Sequence, residues 1–180
     1  MPIGDLLFAF ATWLKTTPLA EFSLWISTTP LSAVLGRTVW AIPAIQSVHI
    51  LAVAATFGSV LMVNLRLFQM AGRSRSMTET VQRYAPWVWW GLLVLLVSGV
   101  TLAIAEPTRE LLNPCFWTKM ILVPIAALVS LGFQASVQRH ADRWTLTGDG
   151  RLAIRAGSAA VMVLWCLIMV LGRWIAYAPT

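Results

Sequence analysis

Four long apolar stretches, separated by short polar connections, constrain this chain more than any other feature of its sequence. They run from about 40 to 64, 87 to 105, 116 to 137 and 158 to 178, and none of them contains an Asp or a Glu. A membrane-spanning helix needs about 20 predominantly apolar residues, so each stretch is long enough to cross a bilayer. The pattern predicts an all-α membrane protein, a bundle of four transmembrane helices.

The composition excludes several other classes of protein. Hydrophobic residues make up 58% of the chain and charged residues 11%, whereas soluble domains are nearer half and a quarter. A soluble enzyme, a disordered chain and a disulfide scaffold therefore fit poorly. The net charge of +6 comes from basic residues that flank the apolar stretches. Membrane topology explains their positions better than nucleic-acid binding does. We expect contact with a lipid bilayer and no nucleic acid partner.

Basic residues in two connections predict the orientation. Arginines cluster after the first and the third apolar stretch: Arg66, Arg73, Arg75, Arg83, Arg139, Arg143, Arg151 and Arg155. Short loops rich in Lys and Arg face the cytoplasm. Both termini are then expected on the outside, which for a multi-pass protein of a bacterial inner membrane is the periplasm.

The first 36 residues contain a near-repeat of twelve residues. Trp13-Leu-Lys-Thr-Thr-Pro18 returns as Trp25-Ile-Ser-Thr-Thr-Pro30. Each copy ends an apolar helical stretch at a Thr-Pro step, because the residue before a proline disfavours helix. We predict two short interfacial helices on the outer membrane surface within 1–36, followed by the transmembrane bundle in 37–180. The segment is also a candidate for docking a periplasmic or membrane protein partner.

His49 is the most unusual residue of the first apolar stretch. It lies about 13 Å below the outer end of that stretch by helix rise, near the middle of the hydrocarbon. Gln46 lies one turn above it and Thr56 two turns below, a polar stripe expected to point into the bundle. Two interpretations stay open: a neutral imidazole hydrogen-bonded to a neighbouring helix, or a metal or haem ligand.

Three further residues are candidates for the same site. Lys119 and Arg173 lie about one turn inside the outer ends of their stretches, above the level of His49. They can snorkel to the headgroups, or they can hold an anionic group such as the propionates of a haem b. Met169 lies at about the depth of His49, where it is either a second axial ligand or a core residue.

Catalytic motifs are missing from the sequence. There is no P-loop, dinucleotide fingerprint, HExxH motif or Ser/His/Asp set with a carboxylate at membrane depth. Cys115 and Cys166 have no CxxC or metal spacing and are expected to pack as small apolar residues. We assign no catalytic residue and do not expect an enzyme acting on its own.

Three motifs together resemble a family of uncharacterised four-span bacterial inner-membrane proteins, defined as a domain of unknown function. They are AIQSVHILAVAATFGSVLMVNLRLF, NPCFWTKM and GRWIAY, and the resemblance runs from about Leu24 to Tyr177. It implies a four-span fold with functional positions at Gln46, His49, Lys119 and Arg173. The chain has Asn64 where that family carries an Asp, and Gln134 where members often show a His. It is more distantly similar to copper-resistance protein D and other small membrane proteins associated with haem.

Three functions follow, in order of preference. The first is a redox-associated subunit that holds haem b or a quinone headgroup in the outer half of the bundle through His49, and passes electrons to or from a periplasmic partner. The second is a cofactor-free membrane anchor or assembly subunit that uses residues 1–36. The third is a carrier for a small solute or metal ion. The oligomeric state stays open, a dimer included.

Overall fold

The computed structural model describes residues 3–68, 70, 77–139 and 148–175, and within these ranges the chain forms helices and no strand. The helices are α1 (Ile3–Lys15), α2 (Pro18–Ser27), α3 (Pro30–Arg37), α4 (Ala41–Leu67), α5 (Met77–Ala105), α6 (Pro107–Leu111), α7 (Pro114–Arg139) and α8 (Gly148–Trp174). The predicted all-α fold is confirmed. Arg73, Arg75 and Arg143, and the predicted end of the fourth span, lie outside the described residues.

Within the described residues, four helices are long and apolar enough to cross a membrane. The candidate spans are Ala41–Leu67, Glu79–Ala105, Pro114–Ala135 and Arg155–Trp174. This confirms the predicted four-span bundle, whose outer surface contacts lipid. Helix α5 begins at Met77, ahead of the apolar stretch predicted from residue 87, and carries Pro86 in its interior. Its first turns contain Glu79 and Arg83, so the helix begins in charged sequence, before the apolar region that the sequence pattern detects.

Both Thr-Pro steps are helix boundaries, as predicted. Helix α1 ends two residues before Thr17, and α2 ends two residues before Thr29. Both threonines have extended backbone, with φ −90° and ψ 161° at Thr17 and φ −69° and ψ 145° at Thr29, as steric contact with a following proline requires. The segment contains three short helices instead of two, because Pro30 is itself the first residue of α3, where a fixed φ suits a helix.

The chain divides into two compact units. The first comprises Met1–Ala52, Leu93–Ile121 and Met169–Thr180, and the second comprises Val53–Leu92 and Leu122–Ile168. All five candidate site residues from the sequence fall in the first unit. The core of the second unit is a cluster of buried residues: Val60, Ala126, Val161, Trp165 and Ile168.

Polar contacts hold the helices of the second unit together. Asn64 is buried, and its Nδ2 donates to the Val60 carbonyl at 2.8 Å while its Oδ1 accepts from Ser158 Oγ at 2.5 Å. Trp165 Nε1 donates to Ser130 Oγ at 3.0 Å. Because the side-chain amide both donates and accepts, Asn64 satisfies two polar groups in a place where an ionised carboxylate would supply only acceptors.

Candidate functional site

The candidate site is centred on His49 of α4, a half-buried residue. Its Nδ1 lies 2.8 Å from Oγ of Ser98, a buried residue of α5. The same hydroxyl lies 2.6 Å from the Val94 carbonyl oxygen, which can only accept a hydrogen bond. When the hydroxyl donates to Val94, which this short distance favours, Ser98 accepts from an Nδ1–H. Neutral His49 then carries its proton on Nδ1 and a lone pair on Nε2.

Small residues of α5 let the ring approach the helix closely. A Cβ added at Gly99 would lie 3.7 Å from His49 Cε1, at ordinary van der Waals distance. The sequence interpretation took Ser98 and Gly99 only as residues that allow close helix approach. The structure adds that Ser98 is a hydrogen-bond partner of His49. The expected bond from His49 to a neighbouring helix is present, and it leaves Nε2 available for a second interaction.

The residues of the predicted polar stripe on α4, Gln46, His49 and Thr56, are not all buried on one face of the helix. Thr56 is 1% exposed, and its hydroxyl has no hydrogen-bond partner within the described part of the chain. Gln46, by contrast, is exposed. Three residues of helix leave Gln46 about 60° round the axis from His49, enough to move its side chain off the packed face. The expectation that Gln46 points into the bundle is wrong.

Lys119 on α7 is half-buried, and its stem is packed. Its Nζ lies 6.0 Å from the centroid of the Phe116 ring one turn earlier, within cation–π range. Its Cδ lies 3.8 Å from the Cβ position of Gly172 on α8. The ammonium interacts electrostatically with both His49 and Glu110. The placement of Lys119 in a ligand site with His49 stays a prediction.

Glu110 is a half-buried acidic residue that sequence reasoning did not single out. It lies on α6 and is half-buried. Burial raises the pKa of its carboxyl group, the positive charges of Lys119 and then Arg109 oppose that shift, and the negative charge of Glu106 adds to it. Arg109 itself is paired with Glu106, with Nη1 2.7 Å from Oε2. The sequence placed Glu110 in a short connection, where an acidic residue is normally solvated, so no signal marked it.

Asn113 fixes the ends of the two helices that carry Lys119 and Arg173. It is fully buried, and its Oδ1 accepts from the backbone N–H of Cys115 at 2.9 Å, capping the start of α7. Its Nδ2 donates to the carbonyl of Ile175, just past the end of α8, at 3.0 Å. Trp117 Nε1 also donates to the Leu111 carbonyl at 2.8 Å, which fixes the turn from α6 into α7.

The two remaining candidates lie on α8 in the same unit. Met169 is half-buried and Arg173, one turn further along, is exposed. No group of three or more His, Cys, Asp or Glu side chains that could hold a metal ion occurs among the described residues.

Comparison with known proteins places the chain among uncharacterised relatives. The family of unknown function DUF6644 matches residues 22–178. No curated protein and no solved structure matches the chain. The match confirms the resemblance to an uncharacterised family over most of the chain, and the more distant resemblance to copper-resistance protein D gains no support.

Proposed function

The chain belongs to the family of unknown function DUF6644, and from the residues of its own site we propose a redox-associated membrane subunit that holds a quinone headgroup or haem b at His49. The observation that carries the proposal is the hydrogen bond between His49 and Ser98. It orients the imidazole and favours the Nδ1–H tautomer, which leaves a lone pair on Nε2 for a ligand. With both termini in the periplasm, this site lies in the outer half of the membrane.

A quinol headgroup is the ligand that we favour for this site. When bound, a quinol supplies two electrons and two protons on oxidation, the electrons passing to a periplasmic redox protein. His49 Nε2 accepts a hydrogen bond from one hydroxyl and can accept its proton. Ser98 would keep the ring in place during that transfer, because its own hydroxyl donates to the Val94 carbonyl. Lys119 and Arg173 would place the second oxygen of the headgroup, whose proton would leave to water at the membrane surface.

Haem b is the second ligand that His49 can hold. An axial histidine is usually oriented by a hydrogen bond from its other ring nitrogen, which Ser98 provides here. Two features favour the quinone. The Glu110 carboxylate already attracts Lys119 and competes with a haem propionate. A b-type haem also commonly takes a second axial ligand, for which Met169 is the candidate, whereas a quinol needs no second ligand on a metal.

A cofactor-free anchor is the alternative, and the exposed apolar surface of α1 and α2 favours it. Both helices present stacked aromatic pairs with ring centroids 5.6 and 5.8 Å apart. Their outer residues include Phe8, Trp13, Phe22 and Trp25, each at least half exposed. Such a surface suits the membrane interface or a protein partner. Deleting residues 1–30 abolishes partner co-purification under this alternative, while His49→Ala is harmless.

The test measures cofactor content. Wild-type protein is purified in mild detergent, its visible spectrum is recorded oxidised and dithionite-reduced, and its bound quinone is extracted and quantified. We expect bound quinone, or a b-type spectrum, that His49→Ala removes. Ser47→Ala is the matched control, because Ser47 is an exposed neighbour whose hydroxyl bonds only the Pro43 carbonyl. Neither quinone nor haem in wild-type protein supplied with both would contradict the proposal.

A further inference from the structure

The side-chain amide of Gln46 on α4 lies exposed on a helix that spans the membrane. By helix rise it lies about 9 Å below Trp40, at the outer end of the first span. The amide makes no hydrogen bond to any residue that the structure describes, whereas the hydroxyl of the adjacent Ser47 donates to the Pro43 carbonyl at 2.8 Å. Lipid tails supply neither donors nor acceptors, so an amide at this depth is stabilised by a partner from outside the chain.

The surface of α4 around Gln46 is suited to contact with another helix. Pro43 and Ile50, one turn before and one turn after Gln46, lie on the same side of α4 and are exposed. The short side chain of Ser47, also exposed, lets a second backbone approach closely. No charged side chain precedes Arg66 on this helix, so no repulsion between like charges opposes the contact of two such surfaces.

The membrane restricts how two copies of one chain can meet. Copies inserted in the same orientation are related by rotation about an axis along the bilayer normal, so equivalent residues lie at equal depth. A residue at the centre of a symmetric contact therefore faces itself. Gln46 suits such a position because its amide contains both donors and an acceptor, so each copy can donate to the carbonyl oxygen of the other.

We propose that α4 forms a symmetric homodimer contact centred on Gln46, in which the side-chain amides of two copies of this chain exchange hydrogen bonds. The contact explains why an amide that the sequence pattern predicts inside the bundle lies on its surface. The inference goes beyond the function proposed for His49 and does not depend on it. Gln46 lies about 60° round the helix axis from His49, so the contact leaves the ring of His49 with its own partner Ser98.

The first test measures association in a bilayer. Full-length protein labelled at its amino terminus with a donor or an acceptor dye is reconstituted into phosphatidylcholine vesicles at decreasing protein-to-lipid ratios, and energy transfer is recorded. We expect saturable transfer in the wild type and an association about tenfold weaker in Gln46→Leu, which loses the hydrogen bonds between the helices. Ser47→Ala is the matched control and should associate like the wild type, because the Ser47 hydroxyl already bonds its own helix.

The second test locates the contact by disulfide crosslinking in the same vesicles. Each new cysteine is introduced with Cys166→Ser, because Cys166 is exposed while Cys115 is buried. Gln46→Cys should give a crosslinked dimer on oxidation. Val48→Cys is the control: it is exposed at almost the same depth, but it lies about 160° round the helix axis from Gln46 and should stay monomeric.

Three results would overturn the proposal. The first is a wild-type protein that stays monomeric at every protein-to-lipid ratio, which would mean that the amide contacts lipid headgroups or water instead. The second is equal association of the wild type and Gln46→Leu. The third is crosslinking through Val48→Cys as efficient as crosslinking through Gln46→Cys. His49→Ala should dimerise like the wild type, which separates this inference from the proposed ligand site.

Discussion

At the scale of single residues, the account depends on which nitrogen of His49 carries the proton. The Ser98 hydroxyl has one proton, and the nearby Val94 carbonyl oxygen can only accept it. This is why a serine in an apolar helix, normally no more than a small packing residue, determines what the imidazole can do. A histidine whose Nε2 carries the proton could donate to a ligand but could neither accept a quinol proton nor bind iron.

The tautomer can be measured directly by nitrogen NMR of the imidazole. The chain has two histidines, so one substitution at His140 assigns the signals of His49. We expect the Nδ1–H form in wild-type protein and a mixture of tautomers in Ser98→Ala, which should also weaken headgroup binding by about tenfold. Gly99→Ala is the control, since the added methyl group meets His49 at an ordinary 3.7 Å. Wild-type His49 in the Nε2–H form would contradict the assignment.

Glu110 predicts a dependence of stability on pH. Burial raises its pKa in the folded protein, so its protonated form is favoured by folding. This contribution is fully present below the ordinary carboxyl pKa and is lost as the pH rises through the raised value. Thermal unfolding between about pH 4 and pH 8 should show a decline with rising pH that Glu110→Gln reduces. An identical pH profile in both proteins would show that the carboxyl group is not desolvated.

At the scale of helices, the positions of the spans and of the helix boundaries were predictable from the sequence. The contacts between side chains of different helices were not. Four spans and two Thr-Pro boundaries follow from composition and from the steric effect of proline, which need no knowledge of neighbours. The contact of His49 with Ser98 and the attraction between Glu110 and Lys119 depend on which helix faces meet. Sequence periodicity does not specify this when a helix is apolar on all sides, and it also misplaced Gln46.

Asn113 is expected to stabilise the ends of two helices at once. Asn113→Ala removes the cap of α7 and leaves the buried carbonyl of Ile175 without its donor, which should cost about 2 kcal/mol of unfolding free energy. Asn113→Asp keeps an acceptor for the cap but loses the donor. Chemical unfolding in detergent micelles should rank the aspartate variant between alanine and wild type. Equal stability of all three proteins would exclude a capping role.

Gly157 is expected to be required for packing in the second unit. A Cβ there would lie 2.5 Å from a ring carbon of Phe133, so Gly157→Ala forces the ring to move and should destabilise the protein by about 1–3 kcal/mol. Adding Phe133→Leu should restore part of the loss. Gly58 is the control, because its Cβ position has no atom within 4 Å. Similar effects of alanine at both glycines would refute the packing argument.

At the scale of the whole molecule, four spans place the two ends of the bundle on the same side of the membrane. The candidate residues are not scattered along these spans: His49, Lys119, Met169 and Arg173 fall in one of the two compact units, together with Glu110. The other unit is held by an apolar cluster and by neutral polar pairs. Under the proposed function, the first unit would bind the redox ligand, and the apolar core of the second unit would contribute stability.

The most direct test of the central claim is the quinone bound by wild-type protein and by His49→Ala, extracted and quantified after purification in the same detergent and lipid. The account predicts stoichiometric quinone in the wild type, little in His49→Ala, and wild-type content in Ser47→Ala. A wild-type protein that carries quinone at the same level as His49→Ala would contradict a ligand site at this histidine.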